Sequence, residues 1–72
     1  MPRRAALGLT DREREVTELI ADGLSDRQVA ERLGISRNTV GVHVRAILAK
    51  VRLASRAELA AWWQLGRSVD EG

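Results

Sequence analysis

Apolar residues recur along the chain at the three- and four-residue spacing of amphipathic helices, and no stretch outside these stripes alternates with the period of a strand. The pattern predicts an all-α, four-helix domain with helices near residues 11–22, 26–33, 37–51 and 56–65. The third helix has the clearest stripe, formed by Val40, Val44, Ile47, Leu48 and Val51. One face of that helix is therefore predicted to be buried.

Polar residues before each stripe predict where the helices begin. Capping boxes are predicted to pair Thr10 with Glu13, Ser25 with Gln28 and Ser55 with Glu58. Ser36 can cap the third helix. Glycines predict the ends: Gly23 after the first helix, Gly34 after the second and Gly66 after the fourth.

Residues 25–45 are predicted to form two short helices joined by a tight turn. Ala30 is small, so the two helices can approach closely, and Ile35 can anchor the turn to the core. A chain with this layout can insert its second helix into the major groove of DNA. The alternative is an αα-hairpin of the kind found in any small helical bundle.

The outer face of the third helix carries side chains suited to reading bases. This face holds Arg37, Asn38, Gly41, Val42 and Arg45. Arginine can bind guanine through two hydrogen bonds, asparagine can bind adenine, and an apolar side chain can contact a thymine methyl group. Each of these residues could instead be an ordinary solvated side chain, although an exposed valine on a polar face is harder to explain that way.

The positive charge is concentrated in the same part of the chain. Residues 25–56 contain seven basic and two acidic residues, a net charge of +5, whereas residues 1–24 carry −1 and residues 57–72 carry −2. A basic segment of this kind neutralises phosphates and supplies affinity for nucleic acid. Charge and motif together predict double-stranded DNA as the partner.

Composition argues against several other classes of protein. A chain of 72 residues forms one small domain, and with no cysteine and one histidine we expect neither a metal site nor another cofactor. No apolar run predicts a membrane span and no signal peptide is visible, so a cytoplasmic location is expected. An enzyme is not expected, because the carboxylates Glu13, Glu15 and Glu18 are predicted to lie on an exposed helix face.

The spaced residues quoted so far, with several others, give the chain a family resemblance. It resembles the LuxR-type (GerE) helix-turn-helix domain, the DNA-binding end of many bacterial response regulators and quorum-sensing regulators. The resemblance covers about residues 9–65 and is carried by residues 9–16, Gly23-Leu24-Ser25, Val29-Ala30, Leu33, Ile35-Ser36, Thr39-Val40, His43, Ile47, Lys50-Val51 and Ser55-Arg56. We expect a tail or linker stub at residues 1–8, the domain at 9–66 and a C-terminal tail at 67–72.

The resemblance implies that the third helix is the recognition helix. It places Gly41, Val42, His43 and Arg45 against the DNA, and with Asn38 from the same helix face these are the predicted base-reading residues. It associates Thr39, Lys50 and Arg56 with contacts to the DNA backbone or with support of the recognition helix, and Ser36 and Arg37 at the start of that helix are predicted to contact the backbone as well. The family often has a cation where this chain has Gly41. The operator sequence that the family usually binds is therefore not assigned to this chain. Thr17 replaces a commonly apolar residue, at a site expected to be partly exposed.

The resemblance also implies a homodimer on DNA, formed through the last helix. Leu59, Ala60 and Trp63 are predicted to face the core, which leaves Ala61, Trp62 and Leu65 as an apolar edge at the dimer contact. Alternatively, Trp62 folds flat over its own core. The surface is small, so the isolated domain is expected to be mainly monomeric. RNA polymerase is a further partner that the family allows.

Two other functions stay open at this point. One is a module like region four of a sigma factor, which has a similar turn and also contacts RNA polymerase. His43, the Lys50-Val51 pair and the capped fourth helix favour the LuxR-type interpretation over it. The other is a protein-interaction module that has lost DNA binding, and Gly41 is the residue that most favours it.

Overall fold

The computed structural model describes residues 8–71, with side chains described as far as residue 66. Within this range there are four helices and no strand: α1 (Asp11–Ala21), α2 (Asp26–Leu33), α3 (Arg37–Val51) and α4 (Arg56–Glu71). The predicted all-α, four-helix class is confirmed. The predicted N-terminal tail, residues 1–8, lies outside the described residues except for Gly8.

The first two helices begin with the predicted capping boxes. The Thr10 hydroxyl accepts a hydrogen bond from the Glu13 N–H at 3.1 Å, and the Thr10 N–H donates to the Glu13 carboxylate at 2.9 Å. Ser25 and Gln28 form the same pair of bonds. N–H groups at the start of any helix lack partners within it, and each capping box satisfies two such donors, the N–H of the cap residue and the N–H three residues further on.

The start of α4 differs from the prediction. The Ser55 hydroxyl accepts from the Glu58 N–H at 3.2 Å, as expected of a cap. The Glu58 carboxylate, however, accepts from the Ala54 N–H at 2.7 Å and not from Ser55. The predicted third capping box is therefore only half formed, because the glutamate reaches one residue further back along the chain.

Three helices end in the same way. The chain turns into the left-handed region at Gly23 (φ 94°), Gly34 (φ 70°) and Arg52 (φ 60°). After each of these residues an apolar residue returns its N–H to the helix, with N–O distances of 3.0–3.1 Å for Leu24 to Leu19, Ile35 to Ala30 and Leu53 to Leu48. This is the hydrogen bond of a Schellman motif, which satisfies a carbonyl at the helix end.

The fourth helix is longer than predicted. Gly66 was expected to end it, but the helix continues through Gly66 to Glu71, and most of the expected tail at residues 67–72 is helical backbone. The physical difference lies in the residue after each glycine. Leu24 and Ile35 pack against the core after Gly23 and Gly34, whereas Arg67 comes after Gly66 and offers no apolar side chain to close such a turn.

Helix α1 contacts the other three helices and forms one side of the core. The fully buried core side chains are Val16, Thr17, Val29, Val40, Ile47, Leu59 and Trp63. Thr17, expected at a partly exposed site, is among them, so that expectation was wrong. Its hydroxyl donates to the Glu13 carbonyl oxygen at 2.9 Å, and this hydrogen bond makes burial of the hydroxyl tolerable. None of the helices within residues 8–71 has the length and apolar character needed to cross a membrane.

Candidate nucleic-acid interface

The helix-turn-helix consists of α2, the turn at residues 34–36 and α3. The Ser36 hydroxyl accepts from the Thr39 N–H at 3.0 Å and lies 2.9 Å from the Thr39 hydroxyl. Both side chains are therefore engaged in starting α3. The Ile35 side chain packs against the core, so the turn is held from inside while Ser36 stays exposed.

Helix α3 has one buried and one exposed face. Val40, Val44 and Ile47 are buried against the core. On the other side, Asn38, Val42, Arg45 and Ala49 are all exposed, at spacings of four, three and four residues. Residues at this spacing lie along one side of a helix, and we call these four the outer ridge of α3. Val42 is 55% exposed, an unusual position for a large apolar side chain.

Two arginines on the exposed side of α3, Arg37 in its first turn and Arg45 near its middle, remain available to a ligand. Arg37 and Arg45 are exposed, and neither forms an ion pair with any residue in the described part of the chain. Arg12, Arg14 and Arg27, which are on α1 and α2, each pair with a carboxylate three or four residues away. The exposed side of α3 therefore presents positive charge that its neighbours do not neutralise.

Gly41 lies in the middle of α3 with an ordinary helical backbone. A Cβ atom added there would come within 4 Å of only one side-chain atom, Arg45 Nη1, at 3.9 Å. This is normal van der Waals distance, so the fold itself does not require glycine at this position. His43, two residues along, is partly exposed.

Lys50 ties the end of α3 to the start of α1. Its ammonium group donates to the Glu13 carboxylate at 2.6 Å and to the Gly8 carbonyl oxygen at 3.4 Å. Glu13 is only 6% exposed, so the prediction that it lies on an exposed helix face was wrong. Burial opposes its ionisation, but Lys50 and the hydrogen bonds with Thr10 outweigh burial and lower the pKa of the carboxyl below its usual value.

Arg56 performs a similar role at the start of α4. Its guanidinium forms an ion pair with Asp26 at the start of α2 and also donates to the Leu24 carbonyl oxygen at 3.4 Å. Lys50 and Arg56 thus both join separate elements. Their side chains are 37% and 39% exposed, and each is bound to a carboxylate inside the domain.

The apolar edge of α4 has the exposure that its spacing predicts. Trp63 and Leu59 are fully buried, while Ala61 is exposed and Leu65 is 69% exposed. Trp62 lies between these extremes: it packs against the core but is partly exposed. The two indole rings lie 5.8 Å apart between centroids and are tilted by 57°.

Comparison with known proteins identifies the family. Residues 7–63 match GerE, described as bacterial regulatory proteins of the luxR family. The chain belongs to this luxR family. It is a helix-turn-helix domain of bacterial transcription regulators, as the resemblance implied, and the four described helices account for the matched region from α1 to Trp63.

Several curated regulators are similar to this luxR domain. It is 50% identical over 54 residues to the nitrate/nitrite response regulator protein NarL of Escherichia coli K12, covering 75% of this chain and 25% of NarL. It is 52% identical over 48 residues to a homologue of that regulator from Haemophilus influenzae, and 44% identical over 50 residues to the transcriptional regulatory protein DesR of Bacillus subtilis. These matches cover 67% and 69% of this chain. The chain spans about a quarter of the length of each relative.

Sequence reasoning overlooked two residues of this luxR domain. Glu13 lies three and seven residues before Val16 and Ile20, so its spacing with that buried stripe could have indicated burial. Arg52 was not predicted to end α3, because glycine is the usual residue in the left-handed conformation at a helix end. The apolar Leu53 after it, which packs like Leu24 and Ile35, was the available signal.

Proposed function

We propose that this luxR domain binds double-stranded DNA sequence-specifically, with α3 in the major groove and as one half of a dimer. The observation that supports this best is the outer ridge of α3. It presents Val42 and Arg45 to solvent, opposite a face that is buried against the core. An apolar side chain next to an unpaired arginine suits the edges of base pairs better than it suits water.

Val42 and Arg45 are the proposed base readers. The guanidinium of Arg45 can donate two hydrogen bonds to guanine, and Val42 can contact a thymine methyl group. Asn38, one turn nearer the start of α3, is a candidate for adenine, and His43 is a candidate donor. Gly41 contributes no side chain, so the base facing it is read only through its neighbours.

The backbone contacts divide into direct and indirect ones. Arg37 is exposed and unpaired within the described residues, so it is the proposed direct phosphate contact, with Ser36 and Thr39 beside it in the first turn. Lys50 and Arg56 already bind Glu13 and Asp26. Their proposed main contribution is to hold α3 and α4 in position, with any phosphate contact secondary.

Regulation of transcription in the bacterial cytoplasm is the proposed outcome, because that is where the chromosome lies. An activating role would add RNA polymerase as a partner. Membership of the luxR family favours a regulator over a module like region four of a sigma factor. The signal to which NarL responds is a property of that protein, so none is assigned to this chain.

The decisive experiment measures binding of the chain to labelled duplex DNA by fluorescence anisotropy at several salt concentrations. We expect affinity to fall as salt rises, with a logarithmic slope of about −0.9 for each phosphate neutralised. Negligible binding even at low salt would reject the proposal in favour of a protein-interaction module. Selection from a random duplex pool would then give the half-site, its spacing and its symmetry.

The dimer is proposed to form on DNA through Ala61, Trp62 and Leu65. Trp62→Ala should weaken binding to a site with two half-sites while leaving binding to a single half-site unchanged, because only the former needs the contact between domains. Anisotropy titrations with both duplexes measure this difference. Equal affinity of the variant and the parent for the two-half-site duplex would instead assign Trp62 to its own core.

A further inference from the structure

We propose that Arg52, the residue that ends α3, is a phosphate contact that extends the DNA interface beyond the reading half of the helix. This inference rests on the proposed function. It is carried by three observations on the same residue: its backbone conformation, the absence of an ion pair for its side chain within the described residues, and its register on α3.

The backbone at Arg52 is unfavourable for a residue with a side chain. Arg52 has φ 60° and ψ 43°, and it is the one residue other than glycine with positive φ among those described. In this conformation the Cβ atom crowds the following carbonyl oxygen, whereas glycine has no such contact. The equivalent ends of α1 and α2 have Gly23 and Gly34. Stability alone would therefore favour glycine at position 52.

The Arg52 guanidinium has no role in the fold that its contacts with the described residues show. The residue is exposed, and within the described part of the chain its side chain forms no ion pair or hydrogen bond. A cation near a helix C-terminus interacts favourably with the helix dipole, but Lys50 already stands in the last turn of α3. An arginine kept in a strained conformation without a partner in its own domain indicates a ligand outside it.

The Cα atom of Arg52 continues the line of the outer ridge of α3. Arg52 follows Ala49 by three residues and Arg45 by seven, and its N–H still bonds to the Leu48 carbonyl oxygen as in the helix, so its Cα atom lies on the ridge side of α3. At a rise of about 1.5 Å per residue, position 52 lies roughly 10 Å beyond Arg45 along the helix axis. The major groove is about 12 Å wide, so with Arg45 on a base edge this distance reaches the bordering strand. A guanidinium matches the geometry of phosphate oxygens there.

The variant Arg52→Gly tests the inference because it should change stability and binding in opposite directions. Relief of the left-handed conformation should raise the Tm by a few degrees, measured by thermal unfolding. Loss of one phosphate contact should weaken binding roughly fivefold at about 0.15 M salt and make the salt slope shallower by about 0.9. The variant Arg52→Lys, which keeps the charge, should retain most of the slope.

Arg32→Gln is the matched control, because Arg32 is also exposed and without an ion pair among the described residues, but it lies on α2 beside Glu15 and Glu18 of α1, outside the ridge. If Arg52→Gly lost no more affinity and no more slope than this control, the effect would be one of net charge and the inference would be overturned. The same conclusion would follow if Arg52→Gly bound like the parent. If the parent itself showed no salt-dependent binding, the proposed function would fail first, so the two failures are distinguishable.

Discussion

The cations on α3 and just after it fall into an unpaired half and a paired half. In the unpaired half, Arg37 and Arg45 are exposed and, like Arg52 at the end of the helix, pair with nothing among the described residues. In the paired half, Lys50 is bound to Glu13, and Arg56 at the start of α4 is bound to Asp26. All five cations count equally in the net charge of the segment. Only the contacts show that two of them hold the fold together and three are available to a ligand.

This difference changes how the charge of the segment relates to DNA affinity. Four cations in residues 25–56 lack an ion pair within the described chain: Arg32, Arg37, Arg45 and Arg52. The net charge of +5 therefore does not translate into five phosphate contacts. The salt dependence of binding should follow the unpaired cations that face DNA, because a cation already paired with a carboxylate is less free to neutralise a phosphate and release the counterions condensed on the DNA.

The largest expected effect comes from the unpaired half. Arg45→Ala should cost about 1–3 kcal/mol of binding free energy and relax selectivity at one base position, because a bidentate contact to guanine is lost. The free energy of unfolding should hardly change, since the side chain is exposed. Anisotropy titrations against duplexes mutated at each position measure both the loss and its selectivity. A uniform loss across all sequences would instead make Arg45 a phosphate contact.

Lys50→Met tests the paired half and should act mainly on stability. It leaves Glu13 buried without its cation, which costs about 3–5 kcal/mol in a fully buried pair. Lys50 is 37% exposed, so we expect a smaller loss of about 1–2 kcal/mol, measured by urea unfolding. Combining it with Glu13→Gln should restore part of the loss, because glutamine can still accept from the Thr10 N–H. A loss of affinity without a loss of stability would contradict the division between the two halves.

Gly41→Ala should stabilise the domain by about 0.5–1 kcal/mol, because glycine is unfavourable inside a helix and the new Cβ meets only Arg45 Nη1. Thermal unfolding measures this gain. Binding of the same variant to DNA tests the reading half in finer detail. Unchanged affinity would mean that position 41 makes no contact with the DNA. Weaker binding would mean that the backbone at Gly41 approaches the bases so closely that a Cβ atom interferes.

The smallest expected effect is a dependence of stability on pH. The pKa of Glu13 is lowered in the folded chain, so its ionised form stabilises the fold above the pKa of the unfolded chain. This contribution is lost as pH falls from the unfolded value, near 4.5, through the folded one. Urea unfolding between about pH 7 and 3 should therefore show a steeper decline for the parent than for Glu13→Gln. Parallel curves would mean that Glu13 contributes nothing to the acid sensitivity of the domain.

Much of the fold could be predicted because it is encoded locally. Thr10 and Ser25 start helices through bonds to residues three positions along, and Gly23 and Gly34 end them through the next residue's N–H. The end of α4 could not be predicted from Gly66 alone. A glycine ends a helix when the residue after it is apolar and is stabilised by packing back on the core. Gly66 is followed by an arginine, so this stabilisation is missing and the helix continues.

The site was less predictable than the fold. The exposure of Val42 and Arg45 follows from helical spacing, and the structure agrees. The partners of Lys50 and Arg56 could not be predicted from helical spacing, because each ion pair joins residues far apart in the chain. The separation is 37 positions for Lys50 with Glu13 and 30 positions for Arg56 with Asp26. Such pairs depend on how the helices pack, and the sequence offers many alternative carboxylates on α1 and α2.

The repeated left-handed helix ends have a consequence for the kinetics of folding. Three of the four helices end through hydrogen bonds between residues five positions apart, and most close contacts in the described chain join residues near in sequence. Proteins dominated by such local contacts close few long loops before they reach the transition state, and they fold in microseconds to milliseconds. We therefore expect the domain to refold within milliseconds after a transient unfolding event.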